Sequence, residues 1–366
     1  MALVKDVIAW MERIAPPRLA LAGDPIGLAG GDPEQPANKV LVALDATLGV
    51  IEKAKSAGVD MIVSHHPRFY RGLKSLAATD ASGRRAWELA RTGVALYCAH
   101  TNFDLAPGGT NDFFAEAAGL LNVAVAIPMI NEPLVKLAVF VPATHIEPVR
   151  EALCAAGAGA IGRYSDCTFR VRGTGTFKGG PDTNPFLGKP GQLEEADEYR
   201  IETVIGEYSL QEALAAMRTV HPYEEVAYDV YPVRGSAGVY GPGRIGELER
   251  RTTLKELAQS LAAKTRSTST RIIGDPTARI DRIAVWAGGG VEADALSQLP
   301  IQAIALGELD YHDREVFLDR GIGIIELGHD YSEWMALQNL GKRLAALAPG
   351  LEVTVMEENC MIARNI

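Results

Sequence analysis

The sequence predicts an α/β protein in which two outer α/β domains flank an inserted domain of the ferredoxin-like type. The first observation is that apolar, β-branched runs alternate with helical segments in both outer sections, as in parallel sheets built from βαβ units. The second is the order in the middle, where strand, helix, two strands, helix and strand follow one another, as in a βαββαβ plait. Linkers with glycine and proline flank this middle section. The predicted domains are therefore residues 1–132, 133–236 and 237–366.

The first section is predicted to consist of strands joined by helices. In chain order it contains KVLVALDAT, a helix over residues 50–57, VDMIVSHHP, the helical segment SGRRAWELARTG, and VALYCAHTNFD. Gly58 and Gly93 follow the two helices, at positions where a left-handed C-cap residue is commonly glycine. A parallel sheet with helical crossovers is expected here.

The middle section supplies the strands VKLAVFVP, CTFRVRGTGTF, EYRIETVIG and EVAYDVYPV, with helices at IEPVREALCAAG and LQEALAAMRTV. The third section returns to the first pattern. Its helix in TTLKELAQSLAAKT is expected to begin after Thr252 or Thr253, because threonine accepts hydrogen bonds from the first turn of a helix. Strands at RIDRIAVWAGGG, IQAIALGELD and GIGIIELGHD follow, and a long helix is predicted from Ser332 to about Leu347.

Composition excludes several classes of function. The 366 residues carry a formal net charge of −10, which argues against a general nucleic-acid groove, since such a groove needs a clustered basic surface. No apolar stretch reaches the roughly 20 residues of a membrane span, and the N-terminus lacks the apolar core of a signal peptide, so a cytoplasmic protein is expected. The four cysteines, Cys98, Cys154, Cys167 and Cys360, are scattered and predict reduced thiols.

Five of the seven histidines lie in four short segments that each resemble the end of a β-strand. Each segment opens with an apolar run and closes in imidazoles or carboxylates, and ligands gather at the carboxyl ends of strands in open α/β sheets. The polar residues of the four segments are His65 and His66; His100 and Asp104; Glu308, Asp310 and His312; and His329 and Glu333. The pattern predicts a metal site along one sheet edge.

The spacing of these residues supports the prediction, although each has an ordinary alternative. Consecutive histidines on a strand point to opposite faces, so His65 and His66 can share a site only where the strand has ended, and Pro67 supplies that turn. The alternative is a solvated turn. His329 and Glu333 lie four residues apart and share one face of a helix, as a surface ion pair also would.

The number of ligands favours two metal ions over one. Asp104 could instead cap a turn, but three or more imidazoles with two carboxylates exceed what one tetrahedral ion needs. A carboxylate can also bridge neighbouring ions. His100 and His312 are each left open as a ligand, an outer partner of a ligand, or a proton shuttle. His145 and His221 belong to the middle section and are interpreted as structural or interfacial.

Two glycine-rich segments carry weaker signals. GPGRIG, from Gly241 to Gly246, matches a dinucleotide-binding pattern, but no βαβ unit follows it, so a turn that enters a strand is favoured. The triplet from Gly288 to Gly290 follows a strand and precedes a helical segment. It could bind a phosphate through free amides, or serve as a tight turn, and the sequence does not separate the two.

Together the blocks SHHPRFY, HTNFDLAPGGTND, GELDYHD and GHDYSE resemble the signature of the type 2 GTP cyclohydrolase I homologues, also called NGG-one-interacting-factor-three-like proteins. The resemblance covers both outer sections. HPYEEVAYDV, from His221 to Val230, resembles the PII-like or CutA-like insertion of the longer bacterial members. The N-terminal segment AGDPIGLAGG departs from the family, which usually has a Trp-Asp-Asn segment before Gly-Leu.

This resemblance implies two metal-binding α/β domains, with two divalent metal ions per chain held by His65, His66, Asp104, His329 and Glu333. The metal is left open among Zn, Fe, Mn, Co and Ni. It also implies a homohexamer and a metal-dependent hydrolase similar to GTP cyclohydrolase, acting on a nucleotide or phosphorylated small molecule through a metal-activated water.

Two functions follow from these expectations. In the first, the protein is that hydrolase, and Glu308 and His312 are the catalytic residues that move protons. In the second, the protein is a non-catalytic metal-binding or regulatory protein whose insertion senses a ligand or controls access to the cavity.

Overall fold

The chain forms a mixed α/β fold with three sheets among the residues that the computed structural model describes, 1–69, 72–73 and 75–356. Cys360 lies outside these residues. The fold divides into two compact units, one made of residues 1–129 with 240–366 and the other of residues 130–239. The further division into 1–132, 133–236 and 237–366 stays a prediction.

The strands, in chain order, are β1 Gly27–Gly30, β2 Lys39–Ala43, β3 Met61–Ser64, β4 Ala95–Cys98, β5 Leu120–Val125, β6 Ile130–Pro142, β7 Thr168–Lys178, β8 Leu193–Gly206, β9 Tyr228–Tyr240, β10 Arg244–Thr253, β11 Arg271–Ile273, β12 Arg279–Trp286, β13 Ala303–Leu306, β14 Gly323–Glu326 and β15 Glu352–Val355. The helices are α1 Val4–Ile14, α2 Leu48–Ser56, α3 Ala81–Thr92, α4 Thr101–Leu105, α5 Thr110–Ala118, α6 Ile146–Ala155, α7 Leu210–Val220, α8 Leu254–Thr265, α9 Ala293–Leu296, α10 Tyr311–Leu318 and α11 His329–Leu347. Short 3-10 turns occupy Pro17–Leu19, Ala143–His145 and Glu207–Ser209.

The first sheet has the strand order β1-β4-β3-β2-β15. Strands β15, β2, β3 and β4 are parallel, and β1 pairs with β4 in the antiparallel sense. Every residue of β3 and β4 is buried, as expected of parallel strands covered on both faces. On one face, α1 and α11 pack onto the sheet through apolar residues that include Met11 and Leu340.

The second sheet has the order β11-β14-β13-β12-β10-β5. Its central strands β12, β13 and β14 are parallel, and β13 and β14 are fully buried. Helix α8 packs on one face through Leu254, Leu257 and Leu261. Phe317 of α10 and Leu296 of α9 are buried with another cluster of the sheet.

The outer sections of the chain exchange strands. Strand β15, near the C-terminus, completes the first sheet beside β2, and β5 of the N-terminal section pairs with β10 of the second sheet. Helix α11, which follows β14, buries its apolar face with the first sheet. The two outer sections therefore depend on each other for their cores, and together they make one compact unit.

Residues 130–239 contain a four-stranded sheet of order β7-β8-β6-β9, with the element order βαββαβ. Strand β8 is antiparallel to both β6 and β7. Helices α6 and α7 cover one face of the sheet, where Val139, Ile201 and Leu153 are buried in a separate core. His221 is buried at the end of α7, and its Nε2 lies 3.0 Å from the carbonyl oxygen of Phe140.

Most predicted elements are present, with shifted ends. Helix α11 begins at His329, three residues before the predicted Ser332, and Thr253 is the N-cap of α8. The GPGRIG segment is the turn that enters β10, as predicted, and not a dinucleotide loop. The apolar stretch before residue 130 contains a strand, β5, that the sequence did not indicate as one.

Candidate metal centre

His65 and His66 lie in the turn that follows β3. Their backbone amides donate to the carbonyl oxygens of Ala43 and Leu44 at 3.1 and 2.9 Å, so the chain stays beside β2 while leaving the regular strand. Because the strand has ended at Ser64, the two rings no longer point to opposite faces. Their centroids are 5.0 Å apart.

The ring of His65 is fully buried and its tautomer is determined by its surroundings. Its Nδ1 lies 2.8 Å from the carbonyl oxygen of Ala99, which can only accept, so Nδ1 carries the proton. Nε2 of the neutral ring therefore presents a lone pair. That atom has no hydrogen-bond partner among the described residues, and it lies 3.5 Å from Asp104 Oδ1 and 3.7 Å from Glu333 Oε1.

His66 and His329 repeat this arrangement with carboxylates in place of the carbonyl. Nδ1 of His66 lies 3.2 Å from Asp45 Oδ1, and Nδ1 of His329 lies 2.9 Å from Glu308 Oε1. Their Nε2 atoms are 3.2 Å apart. Glu333 faces both rings, with Oε2 at 3.1 Å from His66 Nε2 and Oε1 at 3.3 Å from His329 Nε2.

His100 adds a fourth imidazole. Its Nδ1 lies 2.9 Å from Asp24 Oδ1, and its ring centroid is 5.3 Å from that of His65 and 5.8 Å from that of His66. Two overlapping groups of ligand atoms result, in each of which the atoms lie within 4.8 Å of one another: His65, His66 and His100, and His66, His329 and Glu333.

Each of the four imidazoles thus has its Nδ1 held by an oxygen acceptor. This is the usual way in which proteins orient a metal-ligating histidine and raise its basicity. The other ring nitrogen is then left to face carboxylates or imidazoles, which are acceptors as well. Acceptors that converge in a buried site repel one another unless protons or a metal cation lie between them. The donor set, with the unpartnered Nε2 of His65, therefore fits a metal ion.

The pKa shifts of the site residues also favour a bound cation. Burial would raise the pKa of Glu333, but the neighbouring imidazoles of His329, His65 and His66 outweigh it and hold that pKa well below its ordinary value. Burial would lower the pKa of His66, but Asp45 and Glu333 raise it to about 10. The pKa of His329 rises to about 9 for similar reasons, against burial and through Glu333. The cluster therefore attracts positive charge.

Asp104 lies in α4, the short helix that begins directly after His100. Burial raises its pKa, and the neighbouring His65 opposes that change. The hydroxyl of Thr110 donates to its Oδ1, and the side-chain amide of Asn111 donates to its carbonyl oxygen. These contacts from α5 hold the carboxylate against the His65 ring.

The glycine triplet contacts the same cluster. Gly288 has φ +72°, and a Cβ at this position would lie 2.3 Å from Glu333 Oε1 and 3.3 Å from His329 Nε2. Its amide donates to the Ser332 hydroxyl at 2.8 Å, so it is not free to bind a phosphate. At Gly289 a Cβ would lie 3.3 Å from Glu308 Oε1. The triplet is a tight turn that gives the site room.

Most of the residues predicted to form the site come together, but His312 does not, and Asp310, the exposed N-cap of α10, has no described contact with the cluster. His65, His66, Asp104, His329 and Glu333 converge as described, and Glu308 joins them through His329. His312 lies in the first turn of α10 with its side chain 89% exposed, and its described contacts are with Tyr311 and Glu315 rather than with the cluster.

Two carboxylates of the site were missed from the sequence. Asp45 follows β2 as the histidines follow β3, so its position after an apolar strand was an available signal. Asp24 had no such signal, because it precedes β1 and reaches His100 across 76 residues of chain. It belongs to the AGDPIGLAGG segment. That segment therefore contacts the site.

Comparison with known proteins identifies the family of the chain. The model of the Duf34/NIF3 (NGG1p interacting factor 3) family matches residues 2–360. The chain belongs to this family. A curated relative from Halalkalibacterium halodurans, named GTP cyclohydrolase 1 type 2 homolog, is 41% identical over 333 residues, which cover 90% of this chain and 89% of the relative. A relative of the same name from Bacillus subtilis is 37% identical over 344 residues, 94% of this chain and 92% of the relative.

Solved structures of other proteins share the fold. A Bacillus cereus protein related to NIF3 superposes with a TM-score of 0.86 at 34% identity and covers 100% of this chain and 99% of its own. HcgD from Methanocaldococcus jannaschii has the same fold at 18% identity, with a TM-score of 0.58 and coverage of 98% of each chain. Among the described residues of this Duf34/NIF3 protein, no helix has both the length and the apolar character to cross a membrane.

Proposed function

We propose that the cluster holds two divalent metal ions, with His65, His66, Asp104, His329 and Glu333 as ligands. The observation that supports this most directly is the set of Nε2 atoms that face carboxylates while each Nδ1 is held by another oxygen. Glu333 directs one oxygen towards His65 and His329 and the other towards His66. A carboxylate in this position suits a bridge between two ions.

His100 extends this ligand set. Its ligand atom lies within 4.8 Å of those of His65 and His66, and Asp24 orients its ring. We include it as a further ligand or as the outer partner of one. Mixed imidazole and carboxylate donors suit Zn, Fe, Mn, Co or Ni, and the donor set does not choose among them.

We propose that the protein is a metal-dependent hydrolase that acts on a nucleotide or a phosphorylated small molecule. Bound divalent ions would supply Lewis-acid activation of water and of the substrate. The names of the curated relatives point to GTP as the first substrate to test. Beside Glu308 a polar cavity of about 410 Å³ is lined by Thr268, Thr270, Arg271 and Glu326, and the guanidinium of Arg271 would offer N–H donors to phosphate oxygens.

Glu308 is the residue that we propose for proton transfer. Its side chain is 64% exposed, so it can exchange protons with solvent, and one of its oxygens already contacts the His329 ring. It therefore has two separable roles, orienting His329 and accepting a proton. The proposed role of His312 as a second proton-transfer group requires its exposed side chain to turn towards the site.

Metal content of the purified protein, measured by elemental analysis, tests the centre. We expect two ions per chain in the wild type and a sharp loss in Asp104→Asn, which removes a charge beside His65 while keeping the shape of the side chain. Asp319→Asn, a change at an exposed carboxylate of the same unit, is the matched control and keeps both ions. Two ions in Asp104→Asn would overturn the ligand assignment.

Turnover of GTP, followed by formate and phosphate release, tests the hydrolase. Glu308→Gln keeps an oxygen that accepts from His329 Nδ1 but cannot take a proton, so we expect both ions to remain and the rate to fall about 100-fold or more. Glu308→Ala loses both roles and should also weaken metal binding. If the metal-loaded wild type turns over neither GTP nor any screened phosphoester, the regulatory metal-binding function replaces the hydrolase.

Two further proposals concern architecture. We propose that residues 130–239 form the inserted ferredoxin-like domain, on the basis of the βαββαβ order and the strand order β7-β8-β6-β9. We also propose that the protein assembles as the cytoplasmic homohexamer implied by the family resemblance. Native mass spectrometry of the full chain tests the second proposal, and a monomer at micromolar concentration would contradict it.

A further inference from the structure

Residues 130–239 contain a cleft that the proposed metal chemistry does not use. It lies on the face of the sheet opposite α6 and α7, over the strand residues Phe140, Phe177 and Glu198. Phe186, from the loop between β7 and β8, and Tyr223, from the segment after α7, form further walls. The cleft encloses about 420 Å³, which is within the range of small-molecule sites.

The base of this cleft holds a carboxylate with an unusual environment. Glu198 is only 8% exposed, and its Oε1 accepts a hydrogen bond from the Tyr223 hydroxyl at 2.9 Å. Among the described residues, no lysine, arginine or histidine nitrogen lies within 4.0 Å of it. Burial of a carboxylate without a cationic partner is costly, and one hydroxyl satisfies little of its hydrogen-bonding capacity.

Gly175 makes room for this carboxylate. It lies on β7, and a Cβ at this position would be 2.1 Å from Glu198 Oε2. The absence of a side chain at Gly175 therefore lets the carboxylate lie close against the β7 backbone within the cleft. A larger residue would push the carboxylate out of its position.

The aromatic walls form a cage rather than a parallel slot. The rings of Phe177 and Tyr223 have centroids 6.5 Å apart and are tilted by 48°, and those of Phe186 and Tyr223 are 6.1 Å apart and tilted by 44°. Rings at these separations already contact one another, since aromatic pairs lie roughly 4.5–7 Å apart. A flat heterocycle would need parallel rings with a gap between them. Tilted rings around a carboxylate instead suit a compact cation.

The charged side chains around the cleft also favour a cation. Its described lining contains the carboxylates of Glu198, Glu224 and Glu225 and a single lysine, Lys178. The loop between β7 and β8 closes on itself through a hydrogen bond from the Gly191 amide to the Gly179 carbonyl, at 2.8 Å.

The same loop is held against the segment after α7. Glu224 accepts from the backbone amide of Asn184, at 3.2 Å to each oxygen. These contacts keep Phe186 against Tyr223. The wall of the cleft is therefore formed before any ligand arrives.

We propose that this cleft binds a small organic ammonium ion, with Glu198 as its counter-charge and Phe177, Phe186 and Tyr223 as its aromatic cage. The ligand needs a compact cationic head, as in an alkylammonium or a methylated ammonium. Its apolar substituents pack on the rings while the charge faces the carboxylate. All the described residues that line this cleft belong to 130–239 and none is a proposed metal ligand, so the proposal does not depend on the proposed hydrolase activity.

Calorimetric titration of the full chain with choline and with its neutral isostere 3,3-dimethylbutan-1-ol tests the proposal. The two probes share their shape and differ in charge, so binding at least 10-fold weaker for the alcohol is expected. n-Butylammonium is the second cationic probe. Equal binding of choline and the alcohol would overturn the proposal, and so would the absence of millimolar binding for both cationic probes.

Variants identify the site. Glu198→Gln should weaken choline binding at least 10-fold, whereas Glu151→Gln, at an exposed carboxylate of α6, should leave it unchanged. Phe186→Ala, on the loop, removes one wall of the cage and provides a test if Glu198→Gln fails to fold, which near-ultraviolet circular dichroism would reveal. Wild-type affinity in a folded Glu198→Gln or Phe186→Ala protein would overturn the assignment.

Discussion

Gly288 illustrates how a single missing side chain can leave room for the candidate metal centre. Its α-carbon lies against Glu333 and His329, and its φ of +72° already favours glycine. Gly290 has a similar φ of +65°, but a Cβ there would meet no atom within 4 Å. The two glycines therefore share a backbone conformation that disfavours other residues, and they differ in their contact with the site.

This pair gives the first prediction. Gly290→Ala should destabilise the fold by roughly 1 kcal/mol, because it alters a left-handed residue, and Gly288→Ala should destabilise it at least as much, because it also displaces a buried side chain. Only Gly288→Ala should abolish metal binding, since its Cβ would lie 2.3 Å from Glu333 Oε1. Elemental analysis and thermal unfolding of both variants measure the two effects. Equal metal content in the two proteins would contradict the assignment of Glu333 as a ligand.

Asp45 supports the second prediction. It accepts from His66 Nδ1 at 3.2 Å and from Arg68 at 2.7 Å, so it holds the ring that faces Glu333. Asp45→Ala should weaken metal binding about 10- to 100-fold, as is typical when the outer partner of a ligand is lost. Asp45→Asn keeps an acceptor oxygen and should lose less. Competition with a chelator measures both, and identical affinities for wild type and Asp45→Ala would refute this role.

Local sequence predicted the residues of the cluster better than the carboxylates that orient them. His329 and Glu333 could be paired from a spacing of four, because that spacing brings two side chains to one face of a helix. Asp24 could not be paired with His100, because only the fold brings them together. The sequence also did not show that the His312 side chain is exposed, because the direction of that side chain depends on where α10 begins.

Helix α8 shows how a short motif determines where an element starts. The Thr253 hydroxyl accepts from the Glu256 amide at 3.2 Å, and the Glu256 carboxylate accepts from the Thr253 amide at 2.9 Å, which is a capping box. Thr253→Ala should destabilise the protein by about 1 kcal/mol. Denaturant unfolding measures this. Thr277→Ala, which alters a surface turn of the same unit, is the control, and it should lower the stability less than Thr253→Ala does.

The same cap predicts a pH dependence. Hydrogen bonds from the backbone and the side chain of Thr253 and from Thr252 lower the pKa of Glu256 to about 2, below its ordinary 4.5. Because the pKa of Glu256 is lower in the folded state, the stabilisation by its ionised carboxylate is complete above pH 4.5. It is lost as the pH falls towards 2. The stability difference between wild type and Glu256→Gln should therefore shrink between these values. Urea unfolding at several pH values checks it, and a constant difference would contradict the cap.

Strands that depend on distant partners were the least predictable elements. The buried strands β3, β4, β13 and β14 were recognisable from continuous apolar runs, because both of their faces are covered. Strand β15 has four residues with alternating burial, and its partner β2 lies more than 300 residues earlier. Nothing local distinguishes such a strand from a loop.

The two outer sections of the chain form one unit because their strands are exchanged, and the proposed metal ligands come from both sections. His65, His66 and Asp104 come from the N-terminal section, and His329 and Glu333 come from α11. Residues 130–239, by contrast, have their own core. Metal binding should therefore need both outer sections and not the middle one.

Excision of residues 130–239 tests this organisation. The chain leaves and re-enters the outer unit at adjacent points, where the Met129 amide donates to the Tyr240 carbonyl at 3.0 Å, so a short Gly/Ser linker can join them. The excised protein should be soluble, unfold cooperatively and keep two ions per chain, as measured by calorimetry and elemental analysis. Residues 1–132 alone should aggregate, because they lack β15 and the apolar face of α11. If the excised protein is insoluble or metal-free, the middle section is required for the fold of the outer unit. The outer unit would then not fold independently of residues 130–239.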